Sequence, residues 1–187
     1  MSAIRVCSLA TLARQESFGA NWLFSIVAAD TLEALRTPAW IPAEQHEIFC
    51  FSDVNNPEAP DAPSRADIER LVTLGQALAA PAADNTILIH CQAGISRSPA
   101  AAYIFLCIQL GPGREREAIE ETAGCCEAPW ICPNTLMVRY ADDILGRDGK
   151  MVDTLAAWQR SIQPPWAGGI AVPLDEPPPE ARGPDTG

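Results

Sequence analysis

Hydrophobic positions along the chain alternate between short apolar runs and longer runs with helical spacing. The short runs are rich in β-branched and aromatic residues, which favours β-strands. They predict four strands, over residues 4–10, 21–29, 47–53 and 86–90. The last of these, TILIH, has no alternating polar positions, which is typical of a strand buried on both faces.

Helices are predicted between and after these strands. Ile68, Leu71, Val72 and Leu78 share one helical face, and Ser64 precedes them as the expected N-cap. Further helices are predicted near 11–17, from Pro99 to about Leu110, and over 113–123, 135–145 and 151–162. The alternation predicts an α/β fold with a central, mostly parallel sheet of about four to five strands, flanked by helices on both faces.

The composition changes near residue 164. Residues 164–187 contain seven of the 17 prolines and few large apolar side chains. We therefore predict one domain over residues 1–163 and a Pro-rich, acidic, poorly ordered tail over residues 164–187.

The charge narrows the classes of partner. The net charge is −11, from 13 basic and 24 acidic side chains. Nucleic acids and anionic membranes attract basic surfaces, so neither is an expected partner. No apolar run reaches the roughly 20 residues of a membrane-spanning helix. The first 20 residues lack the continuous apolar segment of a signal peptide, so we expect a cytoplasmic protein.

The seven cysteines are expected to be reduced thiols, because their number is odd and several lie in apolar runs. Cys7, Cys50 and Cys107 are interpreted as small core residues. A second group, Cys125, Cys126 and Cys132, lacks a CxxC pair and has no histidine nearby in sequence, so no metal site is predicted.

The stretch TILIHCQAGISRSPAAAYIFLC, residues 86–107, concentrates the residues suited to chemistry. A buried strand ends at His90 and Cys91, a short loop contains Gly94, and a helix with Pro99 in its first turn follows Arg97. The N–H groups of such a loop, the helix N-terminus and a guanidinium all favour a bound anion. They also favour ionisation of Cys91, which predicts a thiolate beside a phosphate site.

The string HCQAGISRS resembles the signature HCxxGxxR followed by Ser or Thr of the cysteine-dependent protein tyrosine phosphatase superfamily. Its AGxSRS part is most similar to the dual-specificity phosphatases, and the short Ala/Pro-rich chain resembles small bacterial members. Pro133-Asn134 before a later helix fits the same group. The resemblance extends over about residues 47–145, and the first 45 residues match in strand pattern alone.

The resemblance implies a role for each residue of the signature. Cys91 would be the nucleophile and form a cysteinyl-phosphate, and Arg97 would bind the phosphoryl oxygens. Ser98 would hydrogen-bond the sulfur and help it leave. Gly94 would permit the turn, and His90 would orient the loop and tune the thiol.

Substrate binding would fall to the backbone of the same loop, and no metal or cofactor is implied. The N–H groups that would surround the phosphoryl oxygens belong to Gln92, Ala93, Gly94, Ile95, Ser96 and Arg97.

A general acid is expected on a separate loop before the cysteine. Asp53 follows the strand EIFCFS directly and lies 91 − 53 = 38 residues before Cys91. Asp61, in the following Pro-rich loop, lies 91 − 61 = 30 residues before it and is the alternative. The acid of the dual-specificity group tends to come straight off the strand, which favours Asp53.

Several functions remain open at this level. The leading one is a phosphatase acting on phosphotyrosine, and also on phosphoserine or phosphothreonine, in proteins. The same chemistry on a phosphoinositide, a nucleotide or RNA end, or another small phosphate ester is an alternative. This alternative is disfavoured because the variable loop positions carry no basic group that could bind additional phosphates: Gln92, Ala93, Ile95 and Ser96. A phosphate-binding module without turnover is the third hypothesis.

Overall fold

The computed structural model of the chain describes residues 3–79 and 85–162. The strands are β1 Ala3–Ser8, β2 Trp22–Val27, β3 His46–Cys50 and β4 Thr86–Cys91. The α-helices are α1 Ala29–Leu32, α2 Arg65–Leu78, α3 Arg97–Leu110, α4 Glu115–Cys125, α5 Thr135–Leu145 and α6 Lys150–Ser161. The predicted tail, residues 164–187, lies outside the described residues.

The four strands form one parallel sheet in the order β1-β4-β2-β3. Strand β4 is therefore central, with Ser8 of β1 opposite Cys91 and Ser25 of β2 opposite His90. Because all four strands run in one direction, their carboxyl ends meet at one edge of the sheet, where ligands bind in folds of this type. This arrangement places the loops that follow β1 and β4 side by side and brings the loop that follows β3 to the same edge of the sheet.

Side chains of successive strand residues point to opposite faces of the sheet. On one face, α2 to α6 enclose the main core, in which the rings of Phe24 and Phe105 meet edge to face with their centroids 5.1 Å apart. On the other face, Leu23 and Leu88 pack against Leu12, which lies in a 3-10 helix over Leu9–Arg14, and against Ile41 in a loop. The predicted α/β fold is confirmed, with α2 to α6 on one face and the 3-10 helix Leu9–Arg14 on the other.

A local sequence signal explains where α2 begins. Ser64 accepts a hydrogen bond from the Asp67 N–H at 3.1 Å, and the Asp67 carboxylate accepts one from the Ser64 N–H, so the expected cap of α2 is present.

Within the described residues, no helix combines the length and apolar character needed to cross a bilayer.

Several details differ from the sequence expectations, and the first three strands each end two or three residues before the predicted end, at Ser8, Val27 and Cys50. In place of the predicted helix over 11–17, the structure has two 3-10 helices, Leu9–Arg14 and Glu16–Phe18. Ser8 is the last residue of β1 and also caps the first of these helices, so that helix begins at Leu9. Cys50 is exposed and is not a core residue, because it lies on the edge strand β3. Cys7 and Cys107 are buried as predicted.

Candidate active site

The candidate site lies at the carboxyl end of the central strand β4. Cys91 is the last residue of β4, and a five-residue loop leads directly to Arg97, the first residue of α3. Gly94 in this loop has φ +72°, a conformation that disfavours residues with a Cβ atom. A Cβ atom there would also lie 2.9 Å from the carbonyl carbon of Cys7 in β1. The glycine therefore lets the loop fold tightly onto the neighbouring strand.

The Cys91 thiol receives two hydrogen-bond donors from its own loop and helix. The Gly94 N–H lies 3.3 Å from Cys91 Sγ, and the Ser98 hydroxyl lies 3.1 Å from it. Cys91 is almost fully buried, so few other groups compete for the sulfur. Hydrogen bonds donated to sulfur stabilise the negatively charged thiolate relative to the thiol. The thiolate is the reactive form of cysteine.

Arg97 is held at the same loop with part of its guanidinium unpaired. Its side chain is buried, and Nη1 donates a hydrogen bond of 2.8 Å to the carbonyl oxygen of Phe51, just after β3. Its buried Nε–H has no acceptor among residues 3–79 and 85–162. Buried guanidinium donors are normally paired, so this free donor marks a place for an anionic acceptor.

Backbone donors of the loop add to this anion site. Among the described residues, the N–H groups of Ala93, Ile95 and Ser96 have no acceptor. Gln92 and Ala93 are exposed, so the loop opens to solvent on that side. The 14-residue helix α3 begins at the loop, and the partial positive charge of a helix N-terminus favours an anion there.

Asp53 is brought to the loop from the segment after β3. Its Oδ1 atom accepts hydrogen bonds from Ser96 Oγ at 2.7 Å and from Asn134 Nδ2 at 2.9 Å. Asp61 has φ +54°, and its backbone carbonyl accepts a hydrogen bond from the Ser52 N–H at 2.6 Å. Of these two carboxylates, Asp53 is the one that hydrogen-bonds the loop within the described residues.

Asn134 supports the site in a way that the sequence did not reveal. Besides its bond to Asp53, its Oδ1 accepts from the Met137 N–H at 3.0 Å and caps α5. Its own N–H donates to the Ser96 carbonyl, and the Cys132 N–H donates to the Ile95 carbonyl. The available signal was Pro133-Asn134 before a helix, which indicated a cap and not a link to Asp53.

His90 lies on the opposite face of the sheet from Cys91. It is fully buried, with Nδ1 3.4 Å from the Cys91 carbonyl oxygen and Nε2 2.6 Å from the Ser25 hydroxyl. Burial lowers the pKa of His90 to about 4, although its contact with the Cys91 backbone partly opposes that shift. His90 is therefore neutral near pH 7.

Lowering the pH from about 7.5 to about 5 is expected to reduce the free energy of unfolding by about 2 kcal/mol through His90 alone. Unfolded His90 takes up a proton below its ordinary pKa of 6.5, whereas folded His90 stays neutral down to about 4. Between the two pKa values, 6.5 and about 4, the unfolded state binds more protons than the folded state. The free energy of unfolding therefore decreases as the pH is lowered through this range, and the decrease levels off below a pH of about 4. Urea unfolding at both pH values measures the difference.

The matched variant for this measurement is His90→Gln, which cannot titrate and leaves every other ionisable group in place. Its stability should depend less on pH than that of the wild type, by the same 2 kcal/mol or so. Equal pH dependence in the two proteins would show that folded His90 titrates normally.

No protein-family model matches the sequence, and no curated protein matches it either. Solved structures do match. Human DUSP28 is 16% identical, with 87% of this chain and 97% of that chain covered and a TM-score of 0.53. The Cydia pomonella PTP-2 phosphatase is 17% identical, with 76% and 86% covered and a TM-score of 0.54.

A third structure of the same kind, PTPMT1, is 22% identical, with 79% of this chain and 95% of that chain covered and a TM-score of 0.50. The chain thus has the fold of the protein tyrosine phosphatase superfamily. The solved structures with this fold include dual-specificity phosphatases. These identities are low, so the likeness establishes the fold and the chemistry rests on the site itself.

Proposed function

We propose that this chain is a metal-independent phosphatase that hydrolyses phosphate monoesters through a cysteinyl-phosphate intermediate. Its proposed substrates are phosphotyrosine residues in proteins, with phosphoserine and phosphothreonine as further substrates. The observation that carries the proposal is that one loop brings together a thiol and a buried guanidinium. The Cys91 thiol accepts two hydrogen bonds, and the Arg97 Nε–H has no acceptor among residues 3–79 and 85–162. The dual-specificity phosphatase fold supports the same activity.

In the first step, the Cys91 thiolate attacks phosphorus, so that an S–P bond forms while the bond to the leaving oxygen breaks. Negative charge on the phosphoryl oxygens is met by Arg97 and by the loop N–H groups, which are already oriented and need no rearrangement. Asp53 gives a proton to the leaving oxygen, which is otherwise a poor leaving group.

Asp53 is suited to this role because its two oxygens differ. Oδ1 accepts hydrogen bonds from Ser96 and Asn134, which leaves Oδ2 as the oxygen that carries the proton. In the second step, the Asp53 carboxylate takes a proton from a water molecule as that water attacks phosphorus. The S–P bond breaks, and the Ser98 hydroxyl stabilises the departing thiolate by its hydrogen bond to sulfur.

The preference for phosphoproteins rests on the charges around the loop. The loop, residues 91–97, and two segments bonded to it, 52–55 and 131–135, carry no basic side chain other than Arg97. A third bonded segment, Leu9–Arg14, donates from the Leu9 N–H to the Gln92 carbonyl and carries one basic side chain, Arg14, at its far end. Additional phosphates of a phosphoinositide headgroup or a nucleotide would therefore find few basic partners beside the loop, and the chain's net charge of −11 would repel them.

The test is hydrolysis in excess EDTA and reductant of a phosphotyrosyl peptide, a phosphoseryl peptide and a phosphoinositide. Turnover in EDTA is expected, with kcat/KM for the phosphotyrosyl peptide above that for the phosphoinositide by roughly tenfold or more. A reversed preference would favour the small-phosphate-ester alternative. Binding of inorganic phosphate without turnover of any substrate would favour a phosphate-binding module.

A further inference from the structure

A row of hydrogen-bonded side chains crosses three strands on the face of the sheet opposite the Cys91 side chain. His90 Nε2 lies 2.6 Å from Ser25 Oγ, and the same Oγ lies 2.7 Å from His46 Nε2. The row ends where His46 Nδ1 lies 2.7 Å from the hydroxyl of Thr37, which is exposed. It therefore connects the protein surface to the residue that precedes Cys91.

The strand register places these side chains together. Ser25 of β2 lies opposite His90 of β4, and His46 of β3 lies opposite Leu23, two residues before Ser25. Residues two apart on a strand share a face, so all three side chains point to the same side of the sheet. No other histidine occurs in the chain.

The direction of the hydrogen bonds follows from what each atom can do. A carbonyl oxygen only accepts, so His90 Nδ1, which faces the Cys91 carbonyl at 3.4 Å, must carry the proton. In a neutral ring, Nε2 is then an acceptor, and the Ser25 hydroxyl donates to it. Ser25 Oγ in turn accepts from His46 Nε2–H.

His46 then has an unprotonated Nδ1, which accepts a hydrogen bond from the Thr37 hydroxyl. The pKa of His46 is lowered by burial, and Glu47 only partly opposes that shift, so His46 is also neutral near pH 7. The two histidines thus have opposite tautomers, and every donor along the row has one acceptor. The reverse direction would set the lone pair of His90 Nδ1 against the Cys91 carbonyl oxygen.

We propose that Ser25 and His46 are positioning residues, which hold His90 in the Nδ1-protonated tautomer and thereby fix the carbonyl of Cys91. That carbonyl belongs to the peptide that opens the phosphate-binding loop, so its orientation sets where the next N–H groups point. Aligned donors also polarise one another, with the donating end directed at Cys91. The kinetic part of the test rests on the proposed phosphatase function, whereas the spectroscopic part does not.

Long-range ¹H–¹⁵N correlation spectra of the ¹⁵N-labelled protein test the tautomers directly, because the chain contains two imidazole rings. The expected spectrum near pH 7.5 shows His90 protonated on Nδ1 and His46 protonated on Nε2, and His46→Gln assigns the two sets of signals. In Ser25→Ala, His90 should show shifts averaged between the two tautomers. A wild-type spectrum with His90 protonated on Nε2 would overturn the proposal.

Kinetics of matched variants test the positioning role. Ser25→Ala and His46→Leu should each lower kcat by roughly fivefold, as expected for loss of one hydrogen bond. The His46→Gln amide can still donate to Ser25, so its kcat should stay within about twofold of wild type. Ile48→Thr changes an exposed residue on the same face of β3 and controls for disturbance of the strand.

Two kinetic results would contradict the role. One is a Ser25→Ala protein with wild-type kcat and an unchanged His90 tautomer. The other is equal loss in His46→Gln and His46→Leu, since that would show a need for the ring and not for its donor. If no protein turns over substrate while the tautomers are as expected, the proposed function fails and the hydrogen-bond row stands.

Discussion

Cys91→Ser is expected to lower kcat for an aryl phosphate by roughly 10,000-fold or more, which is the order of loss seen when a nucleophile is removed. The two donors at the sulfur, Gly94 N–H and Ser98 Oγ, can stabilise a thiolate, but a serine hydroxyl stays protonated near neutral pH. The measurement is turnover in EDTA and reductant with enough enzyme to detect residual activity.

Inorganic phosphate should still bind to Cys91→Ser, because Arg97 and the loop N–H groups are unchanged. Cys50→Ser is the matched control, since the Cys50 side chain is exposed on the edge strand β3 and lies outside the Cys91 loop; it should retain wild-type kcat. Residual activity above about a tenth of wild type in Cys91→Ser would rule out a cysteinyl-phosphate as the main route.

The strand, loop and helix that hold Cys91 and Arg97 could be predicted because they are contiguous in sequence. A buried strand, Cys91, Gly94 and the first turn of α3 follow one another within a dozen residues, so local rules on strands, turns and helix starts apply to all of them. The order of α/β elements was likewise predictable, since each element has its own apolar pattern. The roles implied for these residues remain predictions until variants are measured.

Contacts between distant segments could not be predicted in the same way. Asn134 lies 81 residues from Asp53, and only the packing of α5 beside the loop brings the amide to the carboxylate. Ser25 offered a weak signal, as a polar residue inside an apolar strand. Its partner His46 depends on the β2–β3 register, which single-strand patterns do not encode.

Strand ends were the least accurate part of the prediction. The third strand was expected over 47–53 but ends at Cys50, because beyond it the chain turns toward the site. Phe51 still donates to Val27, while its carbonyl accepts from Arg97 and no longer serves the sheet. The same departure from the sheet carries Asp53 to the loop, so the error in the strand end and the contact between Asp53 and the loop have one structural cause.

Asp53→Asn is expected to lower kcat for a phosphotyrosyl peptide by roughly 100-fold, the lower range for loss of a general acid. The asparagine Oδ1 can keep both hydrogen bonds, from Ser96 and Asn134, so the loop geometry should persist. What disappears is a proton on the second oxygen.

The size of the loss should depend on the leaving group. A nitrophenolate leaves readily without a proton, whereas the oxygen of tyrosine or serine does not. The variant should therefore lose least on p-nitrophenyl phosphate, more on the phosphotyrosyl peptide and most on the phosphoseryl peptide. A uniform loss across the three substrates would indicate disturbed binding and not lost proton donation.

Asp61→Asn is the matched control for this experiment. Asp61 has φ +54°, and asparagine tolerates that region at least as well as aspartate, so the substitution should not strain the backbone. Its contact with Ser52 uses the backbone carbonyl and is unaffected by the side chain. Wild-type kcat is expected for Asp61→Asn. If the leaving-group effect appeared in this variant and not in Asp53→Asn, the proton donor would be Asp61, and the bonds from Ser96 and Asn134 would then hold Asp53 for a structural reason.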